Sequence, residues 1–253
     1  MTTSPRIALI TGATVGIGAE FARQLAAQGT GLILVARDLE RLEAKAAELA
    51  AEFGVSTEVI RADLMTPDGL ALIEQRVARS DVDIVVNNAG FGLRPPFEEN
   101  PIEDEQGHLD LLVAVPMRLT HAALQQMLPR RSGTIINIAS VAGFTPRGTY
   151  GAAKAWVLSF SRWANIHYRS RGITVTAVAP GFVHTEFHDR MQVGKDNVPA
   201  FMWLNADQLV RIALRDVARG KAISVPTARY KFVVWLTRWV PASIVAKGAL
   251  RGR

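Results

Sequence analysis

The 253-residue chain has no cysteine, which excludes disulfides and thiolate chemistry and suits a reducing, cytoplasmic setting. Long apolar runs are lacking too. None reaches the roughly 20 residues that a membrane-spanning helix needs, and the first residues are too polar to read as a signal peptide. Internal repeats and linker-like tracts are also missing. Acidic residues are absent from one stretch: Pro226–Arg253 holds Arg229, Lys231, Arg238, Lys247, Arg251 and Arg253 but no Asp or Glu. The net charge of +6 therefore sits in that tail, since the rest carries 23 basic and 23 acidic residues.

Short apolar runs alternate with helical stretches along the remaining chain. Strands are expected at Arg6–Ile10, Gly31–Ala36, Ser56–Ala62, Asp83–Val86, Thr134–Ala139, Ile173–Ala179 and Ala222–Val225. Helices are expected at Ala19–Ala27, Leu39–Phe53, Pro67–Arg79, Pro101–Arg131, Tyr150–Arg171 and Ala206–Arg219. This order predicts an α/β fold, a Rossmann-like, doubly wound and mainly parallel seven-stranded sheet with helices on both faces. The candidate chemistry is spread along the whole length, which favours one domain over residues 1–225 and an extension over 226–253.

The first strand runs straight into Thr11-Gly12-Ala13-Thr14-Val15-Gly16-Ile17-Gly18 and then into a helix. Glycines at such a turn let backbone approach a pyrophosphate, while the helix N-terminus offers N–H groups and positive dipole. A glycine-rich turn that merely tightens a bend is the plainer alternative. The second strand ends at Arg37, where an acid would bind a ribose 2′-hydroxyl and an arginine pairs with a 2′-phosphate. Arg37 thus favours NADP over NAD, against the alternative of a solvated loop arginine.

Tyr150 and Lys154 stand four apart, on one face of a helix, ten residues after Ser140. An ammonium beside a phenol favours the phenolate and brings a group that ionises near pH ~10 toward the range of efficient proton exchange. The trio can move a proton to or from a carbonyl oxygen. Taken alone, the Tyr–Lys spacing also fits an ordinary surface pair.

With these motifs in order, the chain resembles the short-chain dehydrogenase/reductase family. TGxxxGIG stands at 11–18, Asn87-Asn88-Ala89-Gly90 follows the fourth strand, Ser140 closes the fifth, YxxxK spans 150–154, and Pro180-Gly181 precedes Thr185. The likeness runs from about Arg6 to Val225. It implies an oxidoreductase that transfers a hydride between nicotinamide and a ketone or secondary alcohol. It also implies cofactor contacts from Gly12, Thr14, Gly16, Ile17 and Gly18 at the phosphates and from Asp63 and Leu64 near the adenine. Asn88, Ala89 and Gly90 would lie along the cofactor, Lys154 on the nicotinamide ribose, and Pro180, Val183 and Thr185 at the carboxamide. Ser140 would hold the substrate oxygen while Tyr150 exchanges the proton. A homodimer or homotetramer follows by the same likeness, covering the Gly151–Trp163 stretch, which is apolar around most of its circumference; a C-terminal segment folded over it is the alternative.

Two departures stand out. Where many members carry a helical asparagine, alignment through Arg118-Leu119-Thr120 places Leu112. Pro116 lacks an N–H and so leaves the Leu112 carbonyl without its usual helical partner, free to anchor the water of a proton relay; a weakened or different relay is the alternative. The Ser140–Tyr150 interval is also short, and Arg147 within it is either a solvated arginine or a contact for an anionic substrate group. These departures motivate the competing reading, a non-enzymatic NADP(H)-binding sensor or scaffold. Keeping Ser140, Tyr150 and Lys154 together argues against it.

A lid is expected over about 182–205, its Phe187, Met191, Phe201 and Trp203 forming an adaptable wall for a lipophilic carbonyl compound; side chains that only pack the lid and the subunit contact are the alternative. His184 and His188 are weak evidence for metal, and none is assigned; His108, His121 and His167 read as surface or packing residues. Tryptophan interleaved with arginine in the tail resembles an interfacial membrane segment, peripheral rather than spanning; packing on the cleft or subunit interface is the alternative. No nucleic-acid module accompanies the charge.

Overall fold

The computed structural model describes residues 5–93, 95–185, 199–237, 239–241 and 243–245. Strands β1 (Ile7–Thr11), β2 (Gly31–Ala36), β3 (Thr57–Arg61), β4 (Ile84–Asn87), β5 (Gly133–Ile138), β6 (Ile173–Val178) and β7 (Ile223–Ser224) form one sheet in the order β3-β2-β1-β4-β5-β6-β7. Every pairing is parallel, so the sheet is wholly rather than mainly parallel. Among the described residues the helices of eight residues or more are α1 (Gly16–Ala26), α2 (Leu39–Phe53), α3 (Pro67–Val77), α4 (Ile102–Leu109), α5 (Val115–Met127), α6 (Gly148–Tyr168), α7 (Ala206–Ala218) and α8 (Ala228–Leu236).

Strand alternation divides the core in two. Ala8, Ile10, Leu32, Leu34 and Val86 face one side with Phe21 and Leu25 of α1, Leu42 and Leu49 of α2, and Leu209 and Val210 of α7. Leu9, Ile33, Val35 and Val85 face the other, with Ile73 of α3, Leu119 and Met127 of α5, and Ala164 of α6. Both faces are covered, which is why the strands read as unbroken apolar runs. Local signals set the ends of α2: Asp38 accepts from the Arg41 N–H at 3.1 Å, and Gly54 closes the helix at φ +66°.

The expected single helix over Pro101–Arg131 is interrupted. At Asp110–Ala114 the chain makes a wider turn, in which the Val115 N–H donates to the Asp110 carbonyl five residues back. Pro116 explains the site of the bulge, because it can donate neither to Leu112 nor to Leu111. Regular helix resumes at Val115.

After β1 the chain winds outward to β2 and β3, then crosses to β4 on the other side of β1. That reversal opens a crevice at the carboxyl ends of β1 and β4, where ligands bind in such sheets.

Candidate active site

The glycine turn shows why its residue types are needed. Gly12 and Gly16 adopt φ of +66° and +60°. A Cβ on Gly12 would lie 2.9 Å from Asn88 Nδ2, and one on Gly16 would lie 3.0 Å from Thr185 Cγ2. Asn88 locks the turn: its amide donates to the carbonyls of Thr11 at 2.9 Å and Gly12 at 3.0 Å, while the N–H groups of Asn88 and Ala89 donate to Thr11 Oγ1. No side chain caps α1, whose preceding residue is Val15, and no acid lies in its first turn. The cradle therefore fits an anionic ligand that would complete the helix terminus.

Gly18 behaves differently from the expectation. It is buried and does not line the cavity; a Cβ there would lie 2.2 Å from the Gly12 carbonyl oxygen. Its part is to let α1 pack against the turn.

A cavity of about 900 Å³ runs along the carboxyl edge of the sheet and brings the other expected residues together. Toward β2 and β3 its wall includes Arg37, Asp63 and Leu64; Gly12, Thr14, Gly16, Ile17 and Asn88–Gly90 line the middle; Ser140, Tyr150, Lys154, Pro180, Val183 and Thr185 line the β5–β6 side. Arg41 joins Arg37 there, with its guanidinium 3.5 Å from Asp38. The sequence carried that signal, since Arg41 lies one helical turn beyond Arg37.

Ser140 stands at the end of β5, its Oγ accepting from the Ala142 N–H at 3.1 Å and sharing a hydrogen bond with the Tyr150 hydroxyl. The short loop is accommodated by a tight turn at Val141–Phe144 and by Gly148 at φ +59°, which starts α6 two residues before Tyr150. Lys154, 7 % exposed, donates to the Ile138 carbonyl at 2.8 Å and lies 5.7 Å from the centre of the Tyr150 ring.

Burial bears on both members of this pair. Burial lowers Lys154 to about 8, so its charge is marginal just above neutral pH. Burial likewise raises Tyr150, opposed by the Ser140 hydrogen bond and then by the charge of Arg147. Arg147 is a half-buried lining residue whose guanidinium lies 5.8 Å from the Phe182 ring centre.

His108 is a packing residue, and it packs at the site itself. It is 1 % exposed, stacks on the Tyr150 ring at 6.0 Å and places Nε2 3.1 Å from the Phe91 carbonyl oxygen. Desolvation pushes its pKa down, favouring the neutral ring. Leu112 lies in the wide turn with its side chain against Gly90, where an added Cβ would come within 2.9 Å of Leu112 Cδ2. The carbonyl of Leu112 has no N–H at the fourth residue on, because that residue is Pro116.

The short chain dehydrogenase family profile matches residues 6–195. The chain belongs to that family. It is an oxidoreductase of the class that acts on CH–OH and C=O groups with a nicotinamide dinucleotide. It is 31% identical to a very-long-chain 3-oxoacyl-CoA reductase of Anas platyrhynchos, over 94% of this chain and 77% of that one. Among solved structures it is similar to a short-chain dehydrogenase from Sphingobium yanoikuyae in complex with NADPH (TM-score 0.85, 35% identity, 92% of this chain and 94% of that one). It is also similar to the bulky-bulky ketone specific alcohol dehydrogenase from Comamonas testosteroni (TM-score 0.82, 32% identity, 94% and 93%).

In this dehydrogenase the stems of the expected lid are described, and residues 186–198, with Phe187, His188 and Met191, lie outside the described residues. Trp203 does not line the cavity; it is buried against Phe182 at 5.7 Å and His184 at 4.8 Å. Phe201 is exposed. The stems are joined where Val183 bridges Leu204. No group of three His, Asp or Glu among the described residues could hold a metal ion.

The position of Arg147 yields an expected result. Removing its charge in Arg147→Met should raise the Tyr150 pKa further. Because reduction requires the protonated phenol, the alkaline limb of the pH–rate profile should move to higher pH. Steady-state rates across pH check this, and an unmoved limb would exclude Arg147 from the electrostatics of the phenol.

Proposed function

We propose that this chain is an NADPH-dependent reductase that interconverts a bulky, lipophilic ketone and its secondary alcohol. The observation that carries the reading is the pairing of Ser140 and Tyr150 with an apolar cavity wall of Phe91, Leu111, Leu112, Val141 and Phe182. The NADPH complex of the Sphingobium relative, the ketone specificity named for the Comamonas relative and the long-chain acyl substrate named for the Anas relative support it.

The turn of Gly12, Thr14, Gly16 and Ile17 would hold the pyrophosphate, Arg37 and Arg41 the 2′-phosphate, and Asp63 and Leu64 the adenine end. Asn88–Gly90 would flank the ribose with Lys154, and Pro180, Val183 and Thr185 the carboxamide. Bound NADPH supplies the hydride. Ser140 donates a hydrogen bond to the substrate oxygen, and Tyr150 delivers the proton to that oxygen. The Leu112 carbonyl serves the water of the relay that restores the proton, through backbone where the family commonly has asparagine.

The reading includes a cytoplasmic homodimer or homotetramer. The outer side of α6 supports this, with Trp156 stacked on Phe160 at 4.7 Å, Phe160 tilted against Trp163 at 5.9 Å, and Trp163 and Ile166 exposed. No helix among the described residues is long and apolar enough to cross a membrane; a lipophilic substrate would reach the chain from a membrane surface to which it binds peripherally. The substrate class is tested with ketones of increasing chain length. Catalytic efficiency should rise along the series by about threefold or more for each buried methylene, the size of the apolar transfer term. A flat or falling profile would count against an apolar pocket.

A further inference from the structure

Helix α8 has apolar residues on two opposite sides, and among the described residues only one side is buried. Tyr230 and Val234, four apart, are buried. Gly181 is required beneath the Tyr230 ring, since a Cβ there would lie 1.9 Å from Tyr230 Cζ. The Tyr230 hydroxyl accepts from the Phe182 N–H at 3.0 Å and donates to the Met202 carbonyl at 2.8 Å, so it ties α8 to both stems of the lid segment.

The other side faces outward. At about 100° per residue, Phe232, Trp235 and Leu236 fall opposite Tyr230. Trp239 follows on the same side, its N–H donating to the Leu236 carbonyl as the helical turn continues. Phe232 is 60% exposed, Trp235 52% and Trp239 74%. Phe232 and Trp235 stack at 5.8 Å, and Trp235 meets Trp239 at 6.5 Å, making one continuous strip. Arg229 and Lys231, both exposed, flank the strip on its two sides.

We propose that this face docks the chain onto a bilayer containing anionic lipid. Aromatic rings would occupy the boundary between headgroups and acyl chains while Arg229 and Lys231 meet lipid phosphates. Charge decides between a membrane and a second copy of the chain. Pairing of this face across a two-fold axis would bring cations against cations, and Pro226–Arg253 has no acid to offset them. An anionic surface complements them instead. The inference deepens the proposed function by naming the surface through which a lipophilic substrate arrives, beside the lid stems, although the docking itself does not depend on that reading.

The test is co-sedimentation of the full chain with vesicles of phosphatidylcholine alone or with roughly 30% phosphatidylserine, at low and high salt. Binding is expected only with phosphatidylserine and should weaken with salt. Phe232→Ser/Trp235→Ser and, separately, Arg229→Glu/Lys231→Glu should each lower the partition coefficient by about tenfold or more. Thermal melting confirms that each variant folds, and NADPH oxidation with a water-soluble ketone should be unchanged. Wild-type protein that ignores the vesicles overturns the proposal, as do folded variants that bind them equally well. Variants that instead reduce the oligomer size, with no vesicle binding by the wild type, would make the face a subunit contact and overturn it too. Loss of vesicle binding with NADPH oxidation intact separates this surface from the active site.

Discussion

Tyr150→Phe should lower kcat for carbonyl reduction by about 10²- to 10⁴-fold, the contribution of a positioned general acid. The change removes one hydroxyl from a half-buried ring and leaves the stacking on His108 in place. NADPH binding should therefore stay nearly intact, as should thermal stability. Rapid-mixing turnover beside fluorescence titration of NADPH separates the two effects. A variant with near wild-type turnover would remove Tyr150 from the proton transfer. Ser140→Ala should show a smaller loss of the same kind, since it deletes a hydrogen bond to the phenol but not the proton itself.

Arg37→Asp should move cofactor preference from NADPH toward NADH by a few kcal/mol, because it replaces the cation at the end of β2 with a repulsive charge. Most of the effect should fall on the Kd for NADPH. Arg41 lines the same end of the cavity and would keep part of the attraction, so Arg37→Asp/Arg41→Ala should shift preference further. Titrating both cofactors against each variant measures the change. Unaltered discrimination would mean that neither guanidinium reads the 2′-phosphate.

Much of this arrangement is legible without coordinates, for identifiable reasons. Both faces of the sheet are buried, so strands such as Gly31–Ala36 appear as unbroken apolar runs, and helix α2 has a cap at each end. The glycines at 12 and 16 mark positive φ, a property of backbone that side-chain pattern exposes. Three features were less legible because they depend on contacts across the fold. Gly18 serves packing beneath the phosphate turn, as only the proximity of the Gly12 carbonyl reveals. Burial lowers the pKa of Lys154, and burial is not written in a four-residue spacing. His108 lies on a helix whose other residues are largely exposed, and its stacking on Tyr150 depends on how α4 meets α6. The break before α5 was half legible: Pro116 announced a missing donor, while the wide turn that absorbs it emerged from the backbone.

NADPH oxidation measured across a broad panel of ketones and aldehydes, with Tyr150→Phe run in parallel, is the decisive measurement of whether the chain reduces a ketone through Tyr150. Turnover on one or more bulky ketones is expected, lost in the variant while NADPH still binds. Tight NADPH binding by the wild type with no turnover on any member of the panel would contradict it and favour a dinucleotide-binding sensor.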